Sequence, residues 1–370
     1  MTVNQTKTKS PFRGDQVGSL LRPDRLHTAR KDYKEGTITS DALRQVENEE
    51  IKRIVDEQIK AGLTAVTDGE FRRTWFHLDF MENINGFEGY VPEHGYLFKD
   101  EETEKYNIRN TGKISFNTDH PFLQDVKELI DIVDERAVTK FAIPSPNMFF
   151  NDGLRNPDIY PDVESFAQDI IQAYQDAYQA FYDTGLRYLQ LDDVYIAGLA
   201  AETVPWNDGS VDRDYLIDLA VRVLNESLKE KPDDLTVTIH LCRGNYRSTY
   251  AFAGGYDRIA PKLFGEVNVD GFFLEYDDER SGDFSPLKYI PRGGARVVVG
   301  AVTSKSGELE DQDRIIDQIH RAAEYVPLDQ LCLSPQCGFA STHHGNKLTE
   351  EQQFAKLSFV VDTANKIWEN

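Results

Sequence analysis

VESFAQDIIQAYQDAYQAFYDTGLRYLQLDD, residues 163–193, is the stretch on which the fold turns. Residues 163–184 carry an amphipathic helical pattern, Gly185 stands where such a helix stops, and residues 187–192 read as a short buried strand. The same alternation continues outward in both directions. Strand candidates lie at 12–17, 63–68, 138–143, 187–192, 235–241, 271–275, 295–302 and 330–334, eight in all. Helices are expected over 42–61, 122–136, 163–184, 215–229, 311–324 and 350–369, with Ser40 and Thr349 as N-caps and Gly62 and Gly185 as stops. Strand–helix alternation means parallel strands with helical crossovers, and eight strands suggest closure. The expected fold class is therefore α/β, a (β/α)8 TIM barrel. An open doubly wound sheet is the alternative, but no Gly-rich phosphate fingerprint follows the first strand.

The longest interruption is 74–116, an insertion after the second strand that contains Gly86-Phe-Glu-Gly-Tyr-Val. It reads as an excursion with small strands of its own, lying over the C-terminal mouth where barrel active sites are built. Residues 1–11 read as a flexible polar tail, and 12–370 as a single barrel.

Composition narrows the function. Of 370 residues, 41 are basic and 63 acidic, a net charge of −22, which argues against nucleic acid because phosphate neutralisation needs clustered Lys and Arg. With 40% hydrophobic and 28% charged residues, a large core is expected and wholesale disorder is not. No apolar run approaches the roughly 18 residues of a membrane span, and the first ten residues lack a signal-peptide core. Three cysteines suit a reducing cytoplasm, where a thiol is buried, catalytic or metal-bound.

The chemistry gathers at strand ends. His240 and Cys242 are two apart, so an extended strand points both to one side. Glu275 closes the strand 271–275, and Cys337 follows the last strand. A barrel brings such ends to one rim, where an imidazole, two thiols and a carboxylate make a four-coordinate zinc site. Taken singly, each has a plainer reading: a His-x-Cys pair is more often buried structure, and Glu275 heads the acidic run Asp277, Asp278, Glu279. Their shared place at strand ends is what joins them. Cys332 lies inside an apolar strand and reads as core. At the same rim, Ser19, Asp68, Glu70, Asp192 and Asp193 are turn formers or caps on one reading. On the other they recognise an amino acid, carboxylates taking its ammonium and Ser19 its carboxylate.

Val17-Gly-Ser-Leu-Leu-Arg-Pro, Asp68-Gly-Glu-Phe-Arg-Arg, Leu189-Gln-Leu-Asp-Asp, His240-Leu-Cys, Leu274-Glu-Tyr and Ser334-Pro-Gln-Cys-Gly together resemble cobalamin-independent methionine synthase. More narrowly, the chain resembles short, single-barrel relatives of that enzyme's C-terminal catalytic domain, from about residue 12 onward. The resemblance implies that His240, Cys242, Glu275 and Cys337 bind catalytic zinc. It also implies that Glu70 and Asp192 hold the homocysteine ammonium, and that Ser19 positions its carboxylate. The implied reaction is methyl transfer to the homocysteine thiol, ionised by the metal, with 5-methyltetrahydrofolate or another methyl donor. The resemblance departs at Val299-Gly-Ala-Val-Thr-Ser-Lys, where Thr303 stands in the place of the family's proton-donating histidine. A hydroxyl is a poor proton donor at neutral pH, which leaves Lys305, His343 and His344 as substitutes. No counterpart is expected in these 370 residues for the degenerate N-terminal barrel of full-length relatives, which contributes to their folate site. With −22 overall, few basic partners for a polyglutamylated folate are expected, so the donor stays open among methylfolate, a methylcorrinoid and small methylated sulfur or nitrogen compounds.

Three rivals remain: a barrel alkyltransferase for another thiol or donor, a metal-dependent hydrolase, and a non-catalytic protein with structural zinc. Two cysteine ligands argue against the hydrolase, and one carboxylate ligand against a closed structural site. The expected partners are small molecules, with neither nucleic acid nor membrane, and the expected assembly is a monomer or homodimer.

Overall fold

The computed structural model describes residues 10–98, 101–151, 153–201 and 212–368. In chain order the elements are α1 (Asp24–Lys34), α2 (Ser40–Lys60), β1 (Ala65–Val66), α3 (Leu78–Met81), β2 (Asn85–Tyr90), β3 (Asn107–Ser115), α4 (Pro121–Val133) and β4 (Val138–Pro144). There follow α5 (Val163–Asp183), β5 (Tyr188–Asp193), α6 (Tyr195–Ala200), α7 (Arg213–Leu228), β6 (Thr236–Leu241), α8 (Ala260–Glu266) and β7 (Gly271–Glu275). β8 (Arg296–Val302), α9 (Gln312–Ala322), β9 (Leu331–Pro335) and α10 (Glu350–Trp368) complete the chain.

The opening stretch behaves as its pattern dictates. Asp162 caps α5, its side chain accepting from the Ser165 N–H. Phe166, Ile170, Tyr174, Ala177 and Phe181 then recur at three- and four-residue spacing and are all buried. Each such large side chain stabilises the fold by about 1.5–3 kcal/mol. Thr184 ends the helix, Gly185 follows at φ +102°, and β5 enters the sheet with all six residues buried. Burial on both faces is the mark of a parallel strand between helices. At α2 the N-cap is Thr39, not Ser40: Thr39 is extended and accepts from the Ala42 N–H, whereas Ser40 is already helical.

The main sheet is parallel, seven-stranded and ordered β1-β4-β5-β6-β7-β8-β9. This is the expected TIM-barrel class, with one difference. Residues 12–17 are not a strand but contribute one isolated bridge, Gly14 with Leu333, and β1 has only two residues where 63–68 was expected. The segment still spans the two sheet edges. The Asp15 N–H donates to Leu333 O (3.0 Å) and the Leu333 N–H to Arg13 O (2.8 Å) on one side; the Leu20 N–H donates to Gly69 O (3.0 Å) on the other.

Side chains explain the missing ladder, because they occupy backbone groups that strand pairing would use. Asp15 accepts from the Phe12 and Gln16 N–H groups, and Lys140 Nζ donates to Gln16 O. Gln58 takes both the N–H and the C=O of Thr67 (2.9 Å each). Of the expected tail, residues 1–9 lie outside the described residues, while Ser10 bonds Thr236 and the Pro11 carbonyl accepts from Arg296.

Between β1 and α4 the excursion 74–116 carries α3 and the antiparallel pair β2–β3. Gly86-Phe-Glu-Gly-Tyr lies in β2. No helix among the described residues is long and apolar enough to cross a membrane.

Candidate functional site

Parallel register places the polar strand ends at one rim. Asp192, near the end of β5, is level with His240 in β6; His240 is level with Phe273 in β7, two residues before Glu275. Cys242 lies just past β6, and Cys337 two residues past β9. The ligand atoms of His240, Cys242, Glu275 and Cys337 all lie within 4.8 Å of one another, and all four residues are buried. The sulfur atoms of Cys242 and Cys337 are 3.5 Å apart. Two thiolates about 2.3 Å from a tetrahedral zinc stand roughly 3.8 Å apart, so the donor set fits that ion with little movement. Among the described residues neither ring nitrogen of His240 has a hydrogen-bond partner although the residue is buried, so both are available as donors to a metal.

The charges are mutually shaped. The hydrogen bond from Cys242 holds the Cys337 thiol well below its ordinary range against the opposing effect of burial, and the same bond pushes Cys242 up. Burial alone would push the His240 imidazolium down, but Cys337, Asp192 and Glu275 raise it to about 9. Glu275 Oε1 accepts from the Arg243 N–H (2.8 Å) and Oε2 from Arg280 Nη2 (3.0 Å). Its carboxylate therefore has two fixed donors besides any metal.

Ser19, Glu70, Asp192, His240, Cys242 and Cys337 line a cavity of about 430 Å³. Burial raises the Glu70 carboxyl to about 7, Arg73 opposing and Asp192 adding to the rise. Burial likewise raises Asp192 to about 6, with His240 opposing. Glu70 sits at φ +60° directly after Gly69 at +64°, a tight turn that aims its side chain inward, and Glu70 Oε2 has no hydrogen-bond partner among the described residues. Ser19 reaches the site because Gly338 has no side chain: a Cβ there would stand 1.9 Å from Ser19 Oγ. Asp68 and Asp193 serve locally instead. Asp68 accepts from the Glu70 N–H, and Asp193 from Ser145, Asn147 and the Ile196 N–H.

Thr303 is not among the residues lining the cavity; its N–H donates to Glu310 (2.8 Å) and its hydroxyl accepts from the Lys305 N–H. Lys305 Nζ is buried without a hydrogen-bond partner among the described residues, and its charge helps lower the Cys337 thiol. His343 and His344 are partly exposed beside Glu104. Burial lowers His343 to about 4.

Sequence reasoning missed the opposite wall, made by Trp75, Phe76, His77, Tyr96, Leu97 and Phe98 of the excursion. Burial lowers His77 to about 3, and its Nδ1 has no hydrogen-bond partner among the described residues. The aromatic density of 75–98 was the available signal, but the run at 86–91 drew attention to the hairpin. Cys332 is fully buried with Val17, Phe273 and Val298, as expected of core.

Comparison with known proteins bears on this geometry. The family model described as the catalytic domain of cobalamin-independent synthase matches residues 13–366. YxjG, an uncharacterised protein of Bacillus subtilis (strain 168), is 50% identical over 98% of this chain and 96% of its own. A Listeria monocytogenes crystal structure, provisionally assigned as a vitamin-B12-independent methionine synthase, is 42% identical. It superposes with a TM-score of 0.81 over 98% of this chain and 100% of its own. A B12-independent methionine synthase from Shewanella sp. W3-18-1, solved with selenomethionine, shares the fold at TM-score 0.71 and 20% identity. That match covers 95% of this chain and 96% of the other.

Proposed function

The chain belongs to the family of the cobalamin-independent methionine synthase catalytic domain, and from that premise we propose that it is a zinc-dependent methyltransferase acting on the thiol of homocysteine to form methionine. One observation carries the reading. Four buried ligand groups, His240, Cys242, Glu275 and Cys337, converge within 4.8 Å beside a cavity that also holds Glu70 and Asp192. Zinc bound by these residues would lower the pKa of a coordinating thiol until the sulfur is ionised at neutral pH.

The rest falls to the chain itself. Glu70 and Asp192 take the ammonium group: a cation between two carboxylates whose charge is otherwise disfavoured by burial stabilises the ionised form of both. Ser19 Oγ, held against Gly338, is placed to donate to the amino-acid carboxylate. Arg280 and the Arg243 N–H keep Glu275 partnered whichever other group it faces. Trp75, Phe76, Tyr96 and Phe98 exclude water from the sulfur and present an apolar face to the methyl donor. The donor is methyltetrahydrofolate, a methylcorrinoid or a small methylated sulfur or nitrogen compound, and the protein works in the cytoplasm as a monomer or homodimer.

Zinc-loaded protein, incubated with homocysteine and each donor class in turn, is expected to yield methionine with at least one. A protein with zinc at the quartet that makes no methionine from any of them would overturn the reading.

A further inference from the structure

A second group of ligating side chains lies outside the quartet. Glu104 sits where the excursion returns towards β3, and His343 and His344 lie in the loop after β9; their ligand atoms also fall within 4.8 Å of one another. His343 Nε2 stands 3.5 Å from one Glu104 oxygen and His344 Nε2 3.6 Å from the other. Both separations exceed an ordinary hydrogen bond. The first equals and the second slightly exceeds the upper end of the roughly 3.3–3.5 Å between two donors that share one ion at about 2.0–2.1 Å. The two ring centroids are 4.0 Å apart with a 41° tilt, and each ring brings its Nε2 to a different oxygen of the Glu104 carboxylate. His343 Nε2 is shielded from solvent yet has no hydrogen-bond partner among the described residues. Thr342 Oγ1 lies 3.4 Å from His344 Nδ1, which leaves Nε2 of that ring for the shared position.

We propose that Glu104, His343 and His344 form a second metal site, for a divalent first-row ion such as zinc, that clamps the excursion over the mouth of the cavity. Two imidazoles and a carboxylate suit zinc, cobalt, nickel or copper and are poor company for magnesium or calcium. Three protein ligands leave coordination positions to water, so this ion exchanges more readily than one held by the buried quartet. The placement gives the site its role. The outgoing arm of the excursion is already fastened to the rim loop: the Phe76 N–H donates to Ser341 O (3.2 Å) and the His343 N–H to Thr74 O (3.0 Å). The returning arm is held there by ion pairs of Glu101 with Arg247 (3.3 Å) and Lys347 (3.6 Å), all partly exposed and therefore weak. Between the two arms lie Tyr96 and Phe98 of the cavity wall. An ion joining Glu104 to the rim pins that wall. The site does not depend on what the quartet binds.

Metal-free protein titrated with Co²⁺ separates the two sites, because cobalt bound by thiolates shows an intense sulfur-to-metal charge-transfer band and cobalt bound by imidazole and carboxylate shows only weak visible bands. The expected result is about two equivalents bound by the wild type. The His343→Ala/His344→Ala double variant should keep the charge-transfer equivalent and lose the other. Glu104→Gln, at an exposed side chain that tolerates change, should weaken the second equivalent by about tenfold or more. Hydrogen exchange over 101–106 should slow when the second equivalent binds. Equal stoichiometry in wild type and double variant, or exchange there that ignores the metal, overturns the proposal. A missing charge-transfer band with the second equivalent intact would instead count against zinc at the quartet and leave this site standing.

Discussion

The two sides of the barrel are built differently. From β4 to β9 each strand hydrogen-bonds its neighbours through the backbone in parallel register, shifted once, between Gly300 and Val302 of β8. The seam formed by residues 12–20 and β1 has almost no ladder, and Asp15, Gln58 and Lys140 hold it with their side chains. The division runs through the site as well. All four proposed metal ligands hang from the ladder side, whereas Ser19 and Glu70 come from the seam. A backbone ladder tolerates most substitutions because every residue supplies the same groups; a side-chain network depends on each member. The metal set should therefore be robust in its geometry, and the substrate set sensitive to distant residues along the seam.

The largest expected effect lies on the ladder side. Cys337→Ser should leave the fold intact while abolishing zinc binding at the quartet, so that the chain holds about one equivalent fewer, and lowering methyl transfer by about a thousandfold or more. Elemental analysis and circular dichroism check it together, and loss of fold with the metal would break the comparison.

Next comes Lys140→Met in the seam. Lys140 and Asp15 form an ion pair of 3.2 Å, both side chains fully buried, and removing one partner strands the other at a cost of about 3–5 kcal/mol. Adding Asp15→Asn should restore part of that loss in urea denaturation. If the double variant is no more stable than the single, the seam does not rest on this pair.

Glu70 ties the seam to chemistry. Its folded pKa of about 7 lies above the ordinary 4.5, so ligand-free protein is stabilised fully below pH 4.5. That contribution is lost as pH rises through about 7, a span of the order of 3 kcal/mol. Homocysteine affinity should move the opposite way, because its ammonium needs the ionised carboxylate, rising about tenfold between pH 6 and 7.5. Glu70→Gln should lower affinity about a hundredfold and flatten that pH dependence, as isothermal titration would record. An unchanged pH profile in the variant would place the ammonium elsewhere.

The smallest effect sharpens the contrast most. Gln58→Leu removes both bonds to Thr67 and should cost about 1–3 kcal/mol. An exposed substitution facing the ladder side, such as Gln172→Leu on α5, should change stability by less than about 0.5 kcal/mol.

The quartet was legible in the sequence because each member sits at the end of a strand with a clear apolar pattern, and parallel register does the rest. Cys332 was legible as core for the same reason. The irregular seam was not. Asp15 finds Lys140 across 125 positions and Tyr188 across 173, and no local pattern announces that a carboxylate will take the place of a strand's partners. His77 was hidden in another way, and so was the burial of Lys305. Only packing shows that His77 Nδ1 and Lys305 Nζ are buried without a hydrogen-bond partner among the described residues, and the sequence around them is ordinary.

What the amino-acid sequence determined by itself is the periodic part: alternating strands and amphipathic helices, glycine stops, and polar residues at strand ends, all consequences of local dihedral preference and burial. Tertiary structure alone decided where the barrel leaves its ladder and which aromatic residues wall the cavity. It also brought Glu104 against His343 and His344. Those depend on contacts between segments far apart in the chain, and a side chain's partner at such distance is chosen by the assembled core.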